Sequence, residues 1–313
     1  MMEGLKRVFR RPRWVGIVLT GMAVFFSLTS CSQPEMKSGQ ADLEVKVMTF
    51  NLRYGSANDG DNHWLKRRQL VFDLISNSDV DVIGLQEAMK FQMDQILESA
   101  PVYRSVGVGR DDGKEKGEFS NILYNSHRYR VAAWDTFWLS DTPGAPGSVT
   151  WGNACTRICT WARLIHKATG RSFYVYNLHL DHVSQPSREK SAVLVANEIS
   201  SRTHSNDPFL LTGDFNAGEN NAAILYLKGK ASLPEIGKTP SVMVDTFRVL
   251  HPHAERVGTF NGFAGKSDGN KIDYIFVEPE TRVLSAEILR TNNKGRYPSD
   301  HFPVTASLQW RSK

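Results

Sequence analysis

The sequence predicts an α/β protein in which β-sheets pack between α-helices. Short apolar runs without polar alternation, such as Phe209–Thr212, indicate strands that are buried on both faces. Between several of these runs lie segments whose apolar residues recur at helical spacing, such as Trp64–Ser76. Residues 44–313 contain neither an internal repeat nor a linker-like stretch, so we expect them to form one large domain.

The first part of this domain alternates strands with helices. We expect strands at Val45–Leu52 and Val80–Gln86, each followed by a helix, at Trp64–Ser76 and Lys90–Ser99. Strand-like runs without an intervening helix come next: Arg104–Gly109, Ser120–Tyr124, Tyr129–Leu139, Thr156–His166 and Ser172–Leu180. The turn-rich segment Asp141–Gly147 predicts a surface loop.

The second part begins with one long helix and returns to strands. Pro186–Arg202 places Ala192, Val195 and Ile199 on one helical face. The strands expected after it are Phe209–Thr212, Val242–Val249, Lys271–Val277, Val283–Leu289 and Pro303–Leu308.

Residues 1–30 resemble a bacterial export signal. Basic residues precede an apolar run, Trp14–Leu28, whose length of about 15 residues is short for a membrane-spanning helix. The run ends in Leu28-Thr29-Ser30-Cys31, which resembles a lipobox and implies that Cys31 is lipidated and begins the mature chain. The alternative is an uncleaved membrane anchor. Residues 31–43 are polar and predict a flexible tether.

These features predict an exported protein held on a bacterial membrane by acyl chains. Ser32 follows the cysteine, which favours the outer membrane or the periplasmic or surface face over the cytoplasm. We expect the protein to be a monomer.

The net charge of +5 carries little information about a partner. Residues 1–30 contain five basic side chains and one acidic one, so the other 283 residues carry only +1. Nucleic acid therefore remains possible but is not favoured by charge. The hydrophobic fraction of 41% and charged fraction of 23% exclude a disordered or collagen-like chain.

Two cysteines follow the predicted lipidation site, Cys155 and Cys159. If they lie on one strand they are about 13 Å apart, which is too far for a disulfide. We expect two packed thiols and no metal site, because no neighbouring His or Cys completes a ligand set.

Polar residues follow apolar runs repeatedly in this chain. One such cluster alone is explained by turns and helix caps, but several, rich in carboxylate, amide and imidazole, indicate a functional site at strand ends. The clusters contain Asn51, Glu87, His179, Asp214 with Asn216, Asp273, and Asp300 with His301.

Together these clusters resemble the endonuclease/exonuclease/phosphatase superfamily. The matching pieces are Thr49-Phe-Asn-Leu-Arg53, Leu85-Gln-Glu87, Asn177-Leu-His179, Gly213-Asp-Phe-Asn216, Ile272-Asp-Tyr274 and Ser299-Asp-His-Phe-Pro303, in the family's order. The resemblance implies a four-layer α/β sandwich, with two packed mixed sheets flanked by helices, and metal-dependent hydrolysis of a phosphate ester.

The resemblance also implies a role for each polar residue. Glu87 is the principal ligand of Mg²⁺, or of Mn²⁺, with Asn51 and Asp300 beside it, and oxygen donors suit such a hard cation. Asp214 orients or deprotonates the attacking water, and Asn216 holds a phosphate oxygen.

Two histidines complete the implied catalytic set. His301 contacts the phosphate with Asp273 as its orienting partner, and His179 donates to a phosphate oxygen. The sequence leaves open whether Asp214 or His301 accepts the proton. His179 and His182 are expected on opposite strand faces, which argues against a transition-metal cluster there.

Four further residues are candidate substrate contacts. Arg53 and Arg157 carry guanidinium groups that suit phosphate, as does Arg188, and Asp181 shares the predicted strand face of His179. Trp138, Trp151 and Trp161 surround Arg157 in sequence and are either pocket wall or core.

The leading hypothesis is an exported Mg²⁺-dependent phosphoesterase acting on a phosphomonoester or phosphodiester. Within that class a nuclease, a sphingomyelinase-type phospholipase and a small-metabolite phosphatase stay open. The competing class is a non-catalytic lipoprotein that uses the fold for binding.

Overall fold

The computed structural model describes residues 42–234 and 236–311. In these residues the strands are β1 (Leu43–Asn51), β2 (Val82–Gln86), β3 (Tyr103–Val106), β4 (Ile122–Asn125), β5 (Tyr129–Trp138), β6 (Ile158–His166), β7 (Ser172–His179), β8 (Phe209–Asp214), β9 (Val244–Asp245), β10 (Asp273–Val277), β11 (Arg282–Ile288) and β12 (Val304–Trp310). The helices are α1 (Trp64–Asn77), α2 (Lys90–Ser99), α3 (Gln185–Ser200), α4 (Ala222–Leu227) and α5 (Thr246–Leu250).

The strands form two six-stranded mixed sheets that pack face to face. The first sheet has the order β11-β12-β1-β2-β4-β3 and the second has the order β5-β6-β7-β8-β10-β9. One apolar cluster fills the space between the sheets, a second packs the first sheet against α1 and α2, and a third packs the second sheet against α3 and α4. The predicted four-layer α/β sandwich is therefore confirmed.

Strand β1 shows why strict alternation with polar residues is lost after Val47, where both faces of the strand become buried. Val45 and Val47 point into the cluster between the sheets, whereas Met48 and Phe50 point toward α1 and α2. All four side chains are fully buried. Burial of each such side chain stabilises the fold by about 1.5–3 kcal/mol, so both faces of the strand select apolar residues.

Helix boundaries follow local capping. The His63 Nδ1 atom accepts a hydrogen bond from the backbone of Leu65, so α1 begins at Trp64. The Ser184 hydroxyl accepts from the backbone of Ser187 at 3.2 Å and begins α3. These contacts satisfy amide groups that a helix leaves unpaired in its first turn.

The strand predicted at Val242–Val249 is wrong. Only Val244 and Asp245 are in a strand, and α5 begins at Thr246. The Asp245 carboxylate accepts from the backbone of Phe247 at 3.1 Å, and this cap starts a helix among residues that by propensity favour a strand.

Helix α4 was not predicted. Its six residues are too few for a periodic pattern, but Asn221 caps it by accepting from the backbone of Ala223 at 3.0 Å. Asp141–Gly147, by contrast, is a largely exposed series of turns, as predicted.

The strand directions bring the polar clusters to one edge of the sandwich. Strands β1 and β2 run parallel with Asn51 opposite Gln86, and β7 and β8 run parallel with His179 opposite Asp214. Strand β10 is antiparallel and begins with Asp273 opposite Asp214. The carboxyl ends of both parallel pairs therefore meet at the same end of the molecule.

The predicted export signal, the lipidation site Cys31 and nearly all of the predicted tether lie outside the described residues. Leu43, the last residue assigned to the tether, is instead the first residue of β1. None of the helices within residues 42–234 and 236–311 is long and apolar enough to cross a membrane.

Candidate active site

A cavity of about 720 Å³ lies at the edge where the strand ends meet. Eight predicted site residues line it: Arg53, Glu87, Arg157, His179, Asp214, Asn216, Asp300 and His301. The other predicted site residues, Asn51, Asp181, Arg188 and Asp273, are not part of its lining.

Asn51 lies behind the cavity wall and connects two carboxylates. Its Nδ2 atom donates to Glu87 Oε1 at 3.0 Å and to Asp214 Oδ2 at 2.9 Å. Its side-chain oxygen accepts from the backbone of Arg53 at 2.9 Å, and the residue is fully buried. These contacts make Asn51 a support for the two carboxylates, and its expected role as an oxygen ligand of the metal stays a prediction.

Glu87 follows the last residue of β2 in a left-handed backbone conformation, with φ of 56°. Such a conformation is uncommon for residues other than glycine and is concentrated at functional sites. The Glu87 Oε2 atom accepts from the backbone of Tyr54 at 3.0 Å. This hydrogen bond and the Asn51 amide together fix the carboxylate at the cavity wall.

Asp214 ends β8 and is fully buried. Burial, and next the neighbouring charge of Asp273, raise the pKa of Asp214 to about 7. The backbone of Asn216 donates to Asp214 Oδ1 at 2.9 Å and holds the carboxylate in place. A carboxylate with a pKa near neutrality is well suited to accept a proton from water.

His301 and Asp273 form a buried pair. The His301 Nδ1 atom lies 2.9 Å from Asp273 Oδ2, and His301 Nε2 lies 3.8 Å from Asp214 Oδ2. Burial acts to lower the pKa of His301, but the charges of Asp273 and Asp214 outweigh it and raise this pKa well above its ordinary value. The imidazolium form of His301 is therefore favoured, with Nε2 directed toward the cavity.

His179 has the opposite electrostatic environment. Burial, followed by the positive charges of Arg157 and Arg110, lowers its pKa well below the ordinary value. Its Nε2 atom lies 3.0 Å from Asn216 Nδ2 and 3.5 Å from Asp214 Oδ2. A neutral imidazole is the form that binds a metal ion or exchanges hydrogen bonds with a phosphate oxygen.

Sequence reasoning missed Glu118 and Arg110, which line the same cavity. The Glu118 carboxylate is 2.6 Å from Arg110 Nη1 and 4.0 Å from His179 Nδ1. Burial raises the pKa of Glu118, and the charge of Arg110 opposes that rise. Glu118 lies just before β4 in the chain, and this position close to a strand end is the sequence signal that could have identified it as a site residue.

The ligand atoms of Glu87, His179 and Asp214 lie within 4.8 Å of one another. The carboxylates at this position suit Mg²⁺ or Mn²⁺, which prefer oxygen donors, whereas the imidazole suits a softer divalent cation. Burial, and among the neighbouring charges that of Glu87, raise the pKa of Asp300. A cation at this position would relieve the crowding of negative charge.

The four candidate substrate contacts divide into two pairs. Arg53 and Arg157 line the cavity, and two guanidinium nitrogens of Arg157, Nε and Nη1, are buried without a hydrogen-bond partner. Asp181 is fully buried and accepts from the backbones of Ala154, Val183 and Ser184. The structure therefore assigns Asp181 to holding loops together.

Arg188 is also directed away from the cavity. Its guanidinium donates to the backbone carbonyl of Asp181 at 2.9 Å and to Gln185 Oε1 at 2.8 Å. The three tryptophans near Arg157 are absent from the cavity lining as well. Trp161 packs against the core, in agreement with the second of the two interpretations of these residues.

Two further expectations are corrected by the loops that line the cavity, one after β7 and one before β6. His182 lines the cavity together with His179, because β7 ends at His179 and the face alternation stops there. Cys155 is half-buried in the same lining, and both cysteines are free thiols, as predicted. The expected packing of Cys155 in the core is wrong, because β6 begins only at Ile158.

Cys155 has His182 and Asp181 as neighbours, so the expectation that no neighbouring His could complete a set of metal ligands was wrong. However, the Arg157 guanidinium lies 2.9 Å from His182 Nδ1 and 3.6 Å from Asp181 Oδ2. A positive charge already occupies the space that a cation would need.

The sequence pattern of the Endonuclease/Exonuclease/phosphatase family matches residues 48–301, so the chain belongs to this family. Its members hydrolyse phosphate esters, and the cavity at the strand ends has the groups that such hydrolysis needs. The chain is therefore a hydrolase that acts on phosphate ester bonds.

The chain is similar to solved structures of the family and to a curated relative. A family member from Bacteroides vulgatus is 33% identical, with a TM-score of 0.75 over 85% of this chain and 98% of that one. The mannosyl-6-phosphatase Bt3783 of Bacteroides thetaiotaomicron is 32% identical, with a TM-score of 0.74 over 84% and 99%. The uncharacterized protein L388 of Acanthamoeba polyphaga mimivirus is 30% identical over 56% of this chain and 68% of its own length.

Proposed function

We propose that the protein is an exported, lipid-anchored and divalent-metal-dependent phosphoesterase that hydrolyses a small phosphate ester. The observation that carries the proposal is the convergence of Glu87, His179, Asp214 and His301 on one cavity. Glu87 and Asp300, whose negative charges crowd one another at the cavity wall, would hold Mg²⁺ or Mn²⁺, which when bound supplies positive charge for the phosphoryl oxygens and the leaving oxygen.

The chain's own residues account for the remaining chemistry. Asp214 accepts the proton of the attacking water, because its pKa of about 7 leaves it partly ionised at neutral pH. The His301 imidazolium donates to a phosphate oxygen, with Asp273 fixing its ring. Arg157 lines the same cavity and supplies positive charge to the phosphate group.

A small substrate is favoured over a polymer. The net charge of only +1 over residues 31–313 does not favour the backbone of a nucleic acid as a partner. The mannosyl-6-phosphatase from Bacteroides thetaiotaomicron shares the fold and a third of the sequence, which supports a sugar phosphate as the substrate.

Purified residues 32–313 should hydrolyse p-nitrophenyl phosphate or bis-p-nitrophenyl phosphate in the presence of Mg²⁺ or Mn²⁺. Glu87→Ala should abolish this turnover. A parallel panel of DNA, sphingomyelin and sugar phosphates distinguishes nuclease, phospholipase and small-metabolite phosphatase. If no phosphoester is hydrolysed with metal present, the chain is a binding protein instead.

The anchor requires a separate test. In a bacterial host, labelled palmitate should be incorporated into the full chain and not into the Cys31→Ala variant. An unlabelled full chain in the membrane fraction would indicate the uncleaved helical anchor.

A further inference from the structure

A second, smaller cavity adjoins the one that holds the catalytic groups. It has a volume of about 330 Å³ and shares Gly269 and Asn270 with the larger cavity. Gly269 and Asn270 are exposed. They lie shortly before Asp273, which forms the buried pair with His301. The two cavities therefore form one depression that is crossed by a short stretch of backbone.

Because Gly269 has no side chain, the backbone between the two cavities leaves the space above it open. A Cβ atom placed on Gly269 would meet no atom within 4 Å, so the space above the residue is open. The backbone of Gly269 is not in the left-handed region, and other residues can adopt its conformation. Neither sterics nor backbone strain therefore explains a glycine here.

The smaller cavity is polar. Its lining includes the carboxylate of Glu219 and the amides of Asn220 and Asn221. The Arg248 guanidinium holds Glu219 in place through two hydrogen bonds, at 2.8 and 2.7 Å. Carboxylate and amide groups in fixed positions accept and donate hydrogen bonds to hydroxyl groups.

The charges of the smaller cavity disfavour an anionic occupant. The two charges in its lining are already paired, Glu219 with Arg248 at 2.7 Å and Lys271 with Asp245 at 2.9 Å, so no free cation is left among the described residues there. A second phosphate, or a nucleic-acid backbone, would therefore lack a counter-charge there. A neutral, hydroxyl-rich group fits these walls.

An aromatic ring lies on the catalytic side of the crossing. Phe260 lines the larger cavity with 52% of its surface exposed, and its ring centroid is 5.2 Å from that of His301. Its neighbours Thr259 and Asn261 are buried and hydrogen-bonded to the catalytic segments around Asp273 and Ser299. This arrangement holds the Phe260 ring as a rigid apolar surface, onto which the C–H face of a sugar ring can pack.

We propose that the alcohol part of the substrate extends from Phe260 across Gly269 and Asn270 into the smaller cavity. The substrate is then a phosphate ester of a neutral oligosaccharide with at least two rings. The first ring packs on Phe260, and the second makes hydrogen bonds to Glu219 and Asn220. The proposal rests on the proposed function, because it assigns the leaving group of the same reaction.

The experiment compares a hexose 6-phosphate with a panel of hexose disaccharides that carry the same 6-phosphate, using the full chain purified in detergent with Mg²⁺. At least one disaccharide phosphate should have kcat/KM about tenfold higher, which is the contribution expected from one or two net hydrogen bonds. Gly269→Leu and Asn220→Ala should each bring the ratio of disaccharide to monosaccharide kcat/KM close to one.

Gly144→Leu is the matched control, because Gly144 is exposed and a Cβ atom there also meets nothing within 4 Å. This variant should keep the wild-type ratio. The proposal is overturned if no disaccharide phosphate is preferred, or if Gly269→Leu leaves the preference intact. Failure of the proposed function gives a different result, because then neither sugar phosphate nor p-nitrophenyl phosphate is hydrolysed.

Discussion

The Asn51 amide donates to the Asp214 carboxylate at 2.9 Å, and this hydrogen bond joins the two sheets at the cavity. Asn51 ends β1 in the first sheet, and Asp214 ends β8 in the second. The same amide group donates to Glu87. One buried side chain therefore sets the distance between a proposed metal ligand and the proposed proton acceptor.

Replacement of Asn51 by alanine should damage catalysis more than it damages folding. We expect kcat/KM and Mg²⁺ affinity to fall by about 10- to 100-fold, as for other groups that orient metal ligands. Kinetics and calorimetric titration with Mg²⁺ measure these effects. Asn177→Ala is the control, because Asn177 also connects the sheets, but it donates to the carbonyls of Leu85 and Asn121 instead of to Glu87 and Asp214. Equal loss of activity in both variants would argue against the assigned role.

The Asp273→Asn variant should lose activity at a lower pH than the wild type. Asp273 and Asp214 raise the pKa of His301, so the imidazolium persists above its ordinary range and is lost as the pH rises through the raised pKa. Without the Asp273 charge this pKa falls, and the alkaline limb of the kcat profile shifts to lower pH. The profile should be recorded with saturating Mg²⁺, with Asp268→Asn, an exposed acidic residue, as control. An unmoved alkaline limb would show that His301 is not the group that titrates there.

The apolar runs were sufficient to predict sheets packed between helices, because a run such as Phe209–Thr212 does not depend on distant contacts to be recognised. The four layers came from the resemblance to the family. Short elements were lost for the opposite reason. In α4 and α5 a single cap, from Asn221 or Asp245, decides the structure, and propensity over a few residues cannot detect it.

The sequence also located the residues at the site, but it could not show which way each side chain points. Asp181 was expected to share the face of His179, yet the strand ends at His179 and three backbone amides capture the Asp181 carboxylate. Glu118 was missed because nothing in the chain connects it to His179, from which it is separated by 61 residues. Contacts of this kind arise only when the two sheets pack together.

Arg157 and Arg188 should differ sharply when each is replaced by alanine. Arg157→Ala removes a guanidinium that lines the cavity, and we expect KM to rise by about tenfold or more, since charged interactions with phosphate are strong. Arg188→Ala should leave KM within about twofold, because the guanidinium contacts only Asp181 and Gln185 in its own loop and helix. Steady-state kinetics with p-nitrophenyl phosphate separate these outcomes. A similar rise in KM for both variants would restore Arg188 as a substrate contact.

Lys271 and Asp245 form an ion pair that is almost completely buried beneath the site. The Lys271 Nζ atom lies 2.9 Å from Asp245 Oδ2 and 3.4 Å from the centroid of the Tyr274 ring. Burial lowers the pKa of Lys271, and Asp245 opposes this effect. The pair connects the cap of α5 to the start of β10, where Asp273 holds His301.

Lys271→Met should reduce the free energy of unfolding by about 3–5 kcal/mol, because it leaves a buried carboxylate without its partner. Adding Asp245→Asn in the same chain should recover part of that loss, since asparagine removes the unpaired charge and can still cap α5. Urea denaturation of the wild type, both single variants and the double variant measures the coupling between the two residues. If the losses of the two single variants simply add in the double variant, the pair does not stabilise the fold as a unit.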